Sequence, residues 1–214
     1  MGLILVILVF LGFAIIGIAK RRSKVGSMPK MFDEMTRIIS KHLNGVFYDF
    51  WKSIDNKEDY IKKFNLAITV DQLFIFYSSL FYVSILPILQ NGKSPLRNPV
   101  IVGHSMIELS GLLVETYKRD WNGKLEKEDL LRQHGELSKF LAKAWDEYTG
   151  EDEMILVHIT RKAYSFLESD AYHAVDPSFM LVASVVLSQF TVAVSKYFDS
   201  AEEMFRNFFG DNLK

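Results

Sequence analysis

Residues 73–89 read LFIFYSSLFYVSILPIL, seventeen positions without a charged side chain. Either this run crosses a bilayer or it is the centre of a water-soluble core, and the fold turns on which. At about 1.5 Å of rise per residue it would be about 26 Å long as a helix, the lower limit for crossing ~30 Å of hydrocarbon. Tyr77, Tyr82, three serines and Pro87 interrupt it, and no dense basic cluster flanks it. The segments around it are amphipathic and need an aqueous side, so the run reads as a buried helix.

Those neighbours carry clear helical periodicity. On the N-terminal side Phe32, Met35, Ile38, Ile39, His42, Leu43, Val46, Phe47, Phe50, Trp51 and Ile54 recur at three- and four-residue steps, with Asp33, Glu34, Arg37, Lys41, Asp49 and Lys52 between them. Asp55 or Asn56 then offers an N-cap leading into the apolar run, which Pro87 and Asn91-Gly92 close. Asn98-Pro99 opens a helix reaching about Lys118. Leu130, His134, Leu137, Leu141, Ala144, Trp145 and Tyr148 form the next stripe, stopped by Thr149-Gly150. Another helix follows from the acids at 151–153, and Asp176-Pro177 caps a last long one over 178–198, with a separate short aromatic piece after it.

Residues 179–195, FMLVASVVLSQFTVAVS, are a second ambiguous run. Ser184, Ser188, Thr191 and Ser195 fall at steps of four, three and four and so share a face. In a membrane that stripe is a packing seam; in a soluble bundle it admits a close neighbour or faces water. The aqueous reading is taken here too.

The opening of the chain is different. MGLILVILVFLGFAIIGIAKRRSK has no charge from residue 2 to residue 19, then Lys20, Arg21, Arg22 and Lys24. It has no polar face, as a surface helix would. No basic region precedes it, as an export signal would require, and the cations behind it mark the cytoplasmic side and would sit at anionic headgroups. The expected organisation is therefore a transmembrane anchor over 1–19, a basic juxtamembrane linker over 20–30 and an α-helical cytoplasmic domain over 31–214, with the N-terminus outside. The fold class expected is all-α, one N-terminal transmembrane helix followed by a bundle of about six or seven helices.

Composition narrows the function. The 214 residues include 25 Lys and Arg against 26 Asp and Glu, without the basic surplus that nucleic acid demands. The absence of cysteine removes disulfides, thiolate metal sites and cysteine nucleophiles. Phosphate-loop, dinucleotide and nucleophile-elbow signatures are missing, as are paired metal-binding motifs. His104 and Glu108, four apart, share a helix side with Glu115 and form a weak candidate for metal binding or acid–base work; a plain polar face with a helical His–Glu pair is the preferred reading, because a metal site would need further ligands. Residues 118–129, KRDWNGKLEKED, resemble a degraded EF-hand loop, with Gly123 sixth, Asp120 third, Asn122 fifth and Asp129 twelfth. Lys118 in the first place opposes calcium, so an Asn-Gly turn is expected instead. His42 and His134 sit on apolar stripes and are read as core or boundary histidines with satisfied nitrogens.

Phe74, Phe76, Tyr77, Phe81 and Tyr82, with Phe205, Phe208 and Phe209 near the end, serve a core, a ligand pocket or a docking surface. The leading expectation is a membrane-anchored protein-interaction domain, with another protein or a second copy as partner and lipid contact through the N-terminal helix. The first alternative is a helical domain holding an apolar small molecule or lipid at the membrane surface. The weaker one is a metal-dependent enzyme using His104 and Glu108. No cofactor is expected.

Overall fold

The uncharged run folds as a short helix in the middle of the molecule, Val70–Val83, and ends there rather than at Pro87. Fourteen residues span about 21 Å, too little to cross a bilayer. Ten of them are buried, which is why the segment lacks a polar side. The computed structural model describes residues 28–87, 99–121, 123–150, 154–168 and 176–209. Among them every regular element is helical: α1 (Met28–Lys52), α2 (Lys57–Lys63), α3 (Val70–Val83), α4 (Pro99–Trp121), α5 (Lys127–Asp146), α6 (Ile155–Leu167) and α7 (Pro177–Phe209). The expected anchor over 1–19 and the cations Lys20, Arg21, Arg22 and Lys24 lie outside the described residues. Met28–Lys30, the last three residues of the linker expected over 20–30, belong to α1, and Pro29 fits a first helical turn; the rest of that stretch lies outside the described residues.

One break escaped the sequence reading, which ran 55–89 together. Asn56 does cap a helix, its Oδ1 accepting from the Glu58 and Asp59 amides, but that helix is only α2. Asn65 takes a left-handed φ of 47° and ends it. The Leu66 amide bonds back to the Ile61 carbonyl and the Asn65 amide to that of Lys62, a Schellman closure. A capping box restarts the chain: the Gln72 amide donates to Thr69 Oγ1 (3.2 Å) and the Thr69 amide to Gln72 Oε1 (2.8 Å). Gln72 Nε2 then reaches the Leu167 carbonyl at the end of α6 (3.0 Å), tying the new helix to its neighbour.

Helix α3 is the hub, packed against α5, α6 and α7, with α2 and α4 touching it more lightly. Helix α1 lies along α4. Small side chains allow that approach: Ser40 Oγ donates across the gap to the Ser105 carbonyl (3.0 Å). The aromatics of α1 reach α3, with Phe47, Phe50 and Trp51 against Phe74, Tyr77 and Phe81. Phe179 and Phe190 of α7 close the same cluster. Phe74, Phe76, Tyr77 and Phe81 are thus core, at no more than 1% exposure, while Tyr82 is only partly buried. The side chains of Phe205, Phe208 and Phe209 lie outside the described residues.

The last helix is longer than expected. With neither glycine nor proline between 178 and 209, α7 runs through the acidic stretch without a break. Its section Pro177–Glu203 is the one helix among the described residues long and apolar enough to cross a membrane. One side packs inward through Phe179, Ala183, Leu187, Phe190, Val194 and Phe198, all at most 2% exposed. The serine stripe runs along the boundary of that face: Ser184 is buried and approaches Thr160 of α6 (3.4 Å), admitting the close neighbour the spacing suggested.

The turn after α4 is held by Tyr117, whose ring is fully buried. Its hydroxyl donates to Asp71 Oδ1 (2.6 Å) and accepts from the Leu125 amide (3.0 Å). Burial first, and then the Asp71 carboxylate, push this phenol well above its ordinary range. A Cβ on Gly123 would stand 2.0 Å from the Tyr117 ring, which is tethered at its far end and cannot swing aside. Gly123→Ala is therefore expected to lower stability by about 1–3 kcal/mol; a thermal melt matching wild type would refute it.

Candidate functional site

The metal candidate disperses on inspection. His104, Glu108 and Glu115 all stand on the exposed side of α4. No cluster of three or more potential ligands occurs among the described residues. The EF-hand-like stretch is not a loop over its first places, because α4 continues through Trp121. Lys118 Nζ donates to the Leu125 carbonyl (2.7 Å), Asp120 pairs with Arg119 (2.8 Å) and Asp129 with Arg132 (3.1 Å). Residues proposed as calcium ligands are thus engaged by cations of the chain itself.

The two stripe histidines differ. His42 is exposed on α1 and stacks on Tyr197 of α7, centroids 4.0 Å apart and planes within 15°. His134 points from α5 into the packing against α3, at 7% exposure, edge-on to Tyr82 at 5.3 Å. It bonds the Ser78 carbonyl through one ring nitrogen. Its Nε2 is buried and has no hydrogen-bond partner among the described residues. The nitrogen that accepts nothing is therefore Nε2, and the Ser78 bond belongs to Nδ1 as donor. Burial pushes the imidazole down to about 4, with the Ser78 bond opposing, so the ring is neutral at pH 7. The expectation of a satisfied core histidine holds for one nitrogen only.

One turn on, Ser138 Oγ is also buried without a partner. Both residues line a half-open cleft of about 260 Å³ among α3, α4 and α5, whose wall also includes Tyr82, Leu86, Ser110, Leu131, Lys139 and Ala142. On the other side of His134 a void of about 10 Å³ reaches toward Phe74 and Leu113. Because Nε2 and Oγ are each partnerless, no hydrogen bond joins them, and the pair is not an activated nucleophile and base. The arrangement is instead a cleft beside a neutral histidine and a serine whose unpartnered atoms are themselves shielded from it. Sequence reasoning singled out His134 and passed over Ser138; the signal was a serine four residues beyond the histidine on the same stripe, with Gly135 between them.

The other feature is the outer face of α7. Leu181 is 66% exposed and Val185 and Val192 are each 49% exposed, with Val182 beside them. Steps of four and seven put all three on one line. Gln189 interrupts the line, and Lys196, Asp199 and Glu203 continue it as an exposed charged end.

No protein-family model, curated protein or solved structure matches this chain.

Proposed function

We propose that the chain is a membrane-anchored docking domain that binds another protein through the outer face of α7. The observation that carries this reading is the line of Leu181, Val185 and Val192, bulky apolar side chains left uncovered on a helix whose opposite side is fully packed. An apolar centre followed by charged Lys196, Asp199 and Glu203 has the composition of a protein interface, apolar within and polar at the rim. Gln189 in the middle of the face fits a protein surface better than hydrocarbon. Anchoring through residues 1–19, with the helical body on the cytoplasmic side, rests on the uncharged opening and the four cations behind it. Protease protection of a C-terminal tag in sealed membranes reports that side directly; a tag shielded with the lumen or exterior overturns it.

The chain has no native cysteine, so Val185→Cys supplies a single reactive thiol. Benzophenone-4-maleimide attached to that thiol and photolysed in membranes inserts into nearby C–H bonds and should then join the full chain to a protein, giving twice its own mass if the partner is a second copy. A thiol reached only by lipid-phase reagents, with no protein adduct, would remove the reading. Leu181→Lys with Val185→Lys is expected to abolish the adduct made from a reporter at 192, while leaving the unfolding free energy within about 0.5 kcal/mol, because exposed positions contribute little to folding.

A further inference from the structure

The outer face of α7 reads alike from both ends. Leu181 and Lys196, Val185 and Val192, and Ser188 and Gln189 are three pairs equidistant from one point between residues 188 and 189. All six lie on one side of the helix, within about 100° of arc and over about 22 Å of length. Two copies of α7 laid antiparallel about that point therefore present the same patch to each other. Val185 meets Val192 twice, the small Ser188 and the Gln189 amide share the centre, and Leu181 lies against the methylene stem of Lys196. A parallel pair in register would set Lys196 on Lys196 and Asp199 on Asp199, which like-charge repulsion opposes.

The Lys196 ammonium then needs an acid beyond Leu181. An open cleft of about 420 Å³ lies there, with Val182 and Val186 on its α7 side and Asp55, Asp59 and Lys63 as the charged residues of its described lining. The Lys63 ammonium lies over the Phe64 ring, 5.1 Å from its centre. Asp59 accepts from Asn56 Nδ2 (2.6 Å) in the cap of α2, so Asp55 is the carboxylate assigned to the incoming cation. Val182 and Lys196 fall on the same flank of the apolar line, about 100° and about 60° round from Leu181. The two-fold axis of an antiparallel pair sets like flank on like flank, so Lys196 of one copy arrives beside the cleft of the other.

We infer, resting on the docking reading of this face, that its partner is a second copy of the chain. The two α7 helices lie antiparallel about residues 188–189, and Lys196 of each copy pairs with Asp55 of the other.

The test mixes, in membranes, full chains carrying Val185→Cys with full chains carrying Val192→Cys under a different epitope tag. Mild oxidation should give the mixed 185–192 disulfide in preference to 185–185 and 192–192, whose positions an antiparallel pair holds about 10 Å apart along the axis, too far to bridge. Lys196→Glu should reduce the mixed disulfide about fivefold, equivalent to about 1 kcal/mol. Asp55→Lys in the same chain should restore it, which a general loss of structure would not permit. Both positions are exposed, so the fold is retained. Like-with-like disulfides in excess, no effect of Lys196→Glu, or a loss that Asp55→Lys fails to repair would each overturn the antiparallel pairing. A benzophenone adduct at 185 carrying the mass of some other protein overturns the second copy and leaves the docking reading standing. The absence of any protein adduct removes both.

Discussion

Phe47→Ala should lower the free energy of unfolding by about 3–5 kcal/mol, the largest loss expected from any single truncation considered for this chain. Phe47 is completely buried. Its ring meets Trp51 at 5.8 Å, Phe74 at 5.6 Å, Phe81 at 5.5 Å and Phe190 at 6.2 Å. Those partners belong to three helices, α1, α3 and α7, so removing the ring opens a hole where three elements meet. None can collapse into it without drawing the other two along, and an unrelaxed cavity adds to the lost transfer energy. Urea unfolding followed by circular dichroism measures the change. The half-exposed pair Phe140 and Phe166, tilted against each other at 5.1 Å, provides the contrast. Phe140→Ala should cost much less, because water already reaches the ring. Equal losses at the two positions would mean that the aromatic cluster is not the centre of the fold.

Acid should destabilise the protein through His134. The imidazole has a pKa of about 4 when folded against 6.5 for the exposed side chain. A depressed pKa means that the unfolded chain binds the proton more readily. The stability conferred by this group is therefore fully present above pH 6.5, is lost as pH falls from 6.5 to 4, and changes no further below that. A difference of about 2.5 pH units corresponds to about 3 kcal/mol. Carboxylates add to acid unfolding as well, with Asp120 and Asp176 both held below their usual range by hydrogen bonds. His134→Phe isolates the histidine, since its stability should be flatter than wild type between pH 6.5 and 4 by that amount. Parallel curves for the two proteins would show that the buried ring does not govern the acid limb.

Several parts of the site and fold were legible locally. Helix periodicity, the Asn56 cap and Asn98-Pro99 all act within a few residues of themselves, and each marks an element present in the fold. The break at 64–69 was legible too, through an asparagine able to take a left-handed φ and the Thr69…Gln72 capping spacing, but the apolar continuity around it masked both signals. The EF-hand resemblance was already opposed in the sequence by Lys118 in its first place. Its spacing is local, whereas the contacts that engage Lys118, Asp120 and Asp129 depend on side-chain reach.

The sequence by itself determined that this chain is helical, rich in apolar surface and without cysteine chemistry, because backbone periodicity and composition are properties of neighbouring residues. Only the tertiary structure decided which apolar run is interior and which keeps a face uncovered by the rest of the chain. Residues 73–83 and 179–195 look alike in hydropathy, but α3 is surrounded by other helices while α7 is packed on one side alone. The same is true of the two histidines, which occupy equivalent places in their stripes. One meets solvent and a tyrosine face, the other the packing between helices and a carbonyl from α3. Burial depends on what arrives from elsewhere in the chain, and no window of sequence around a residue contains that information.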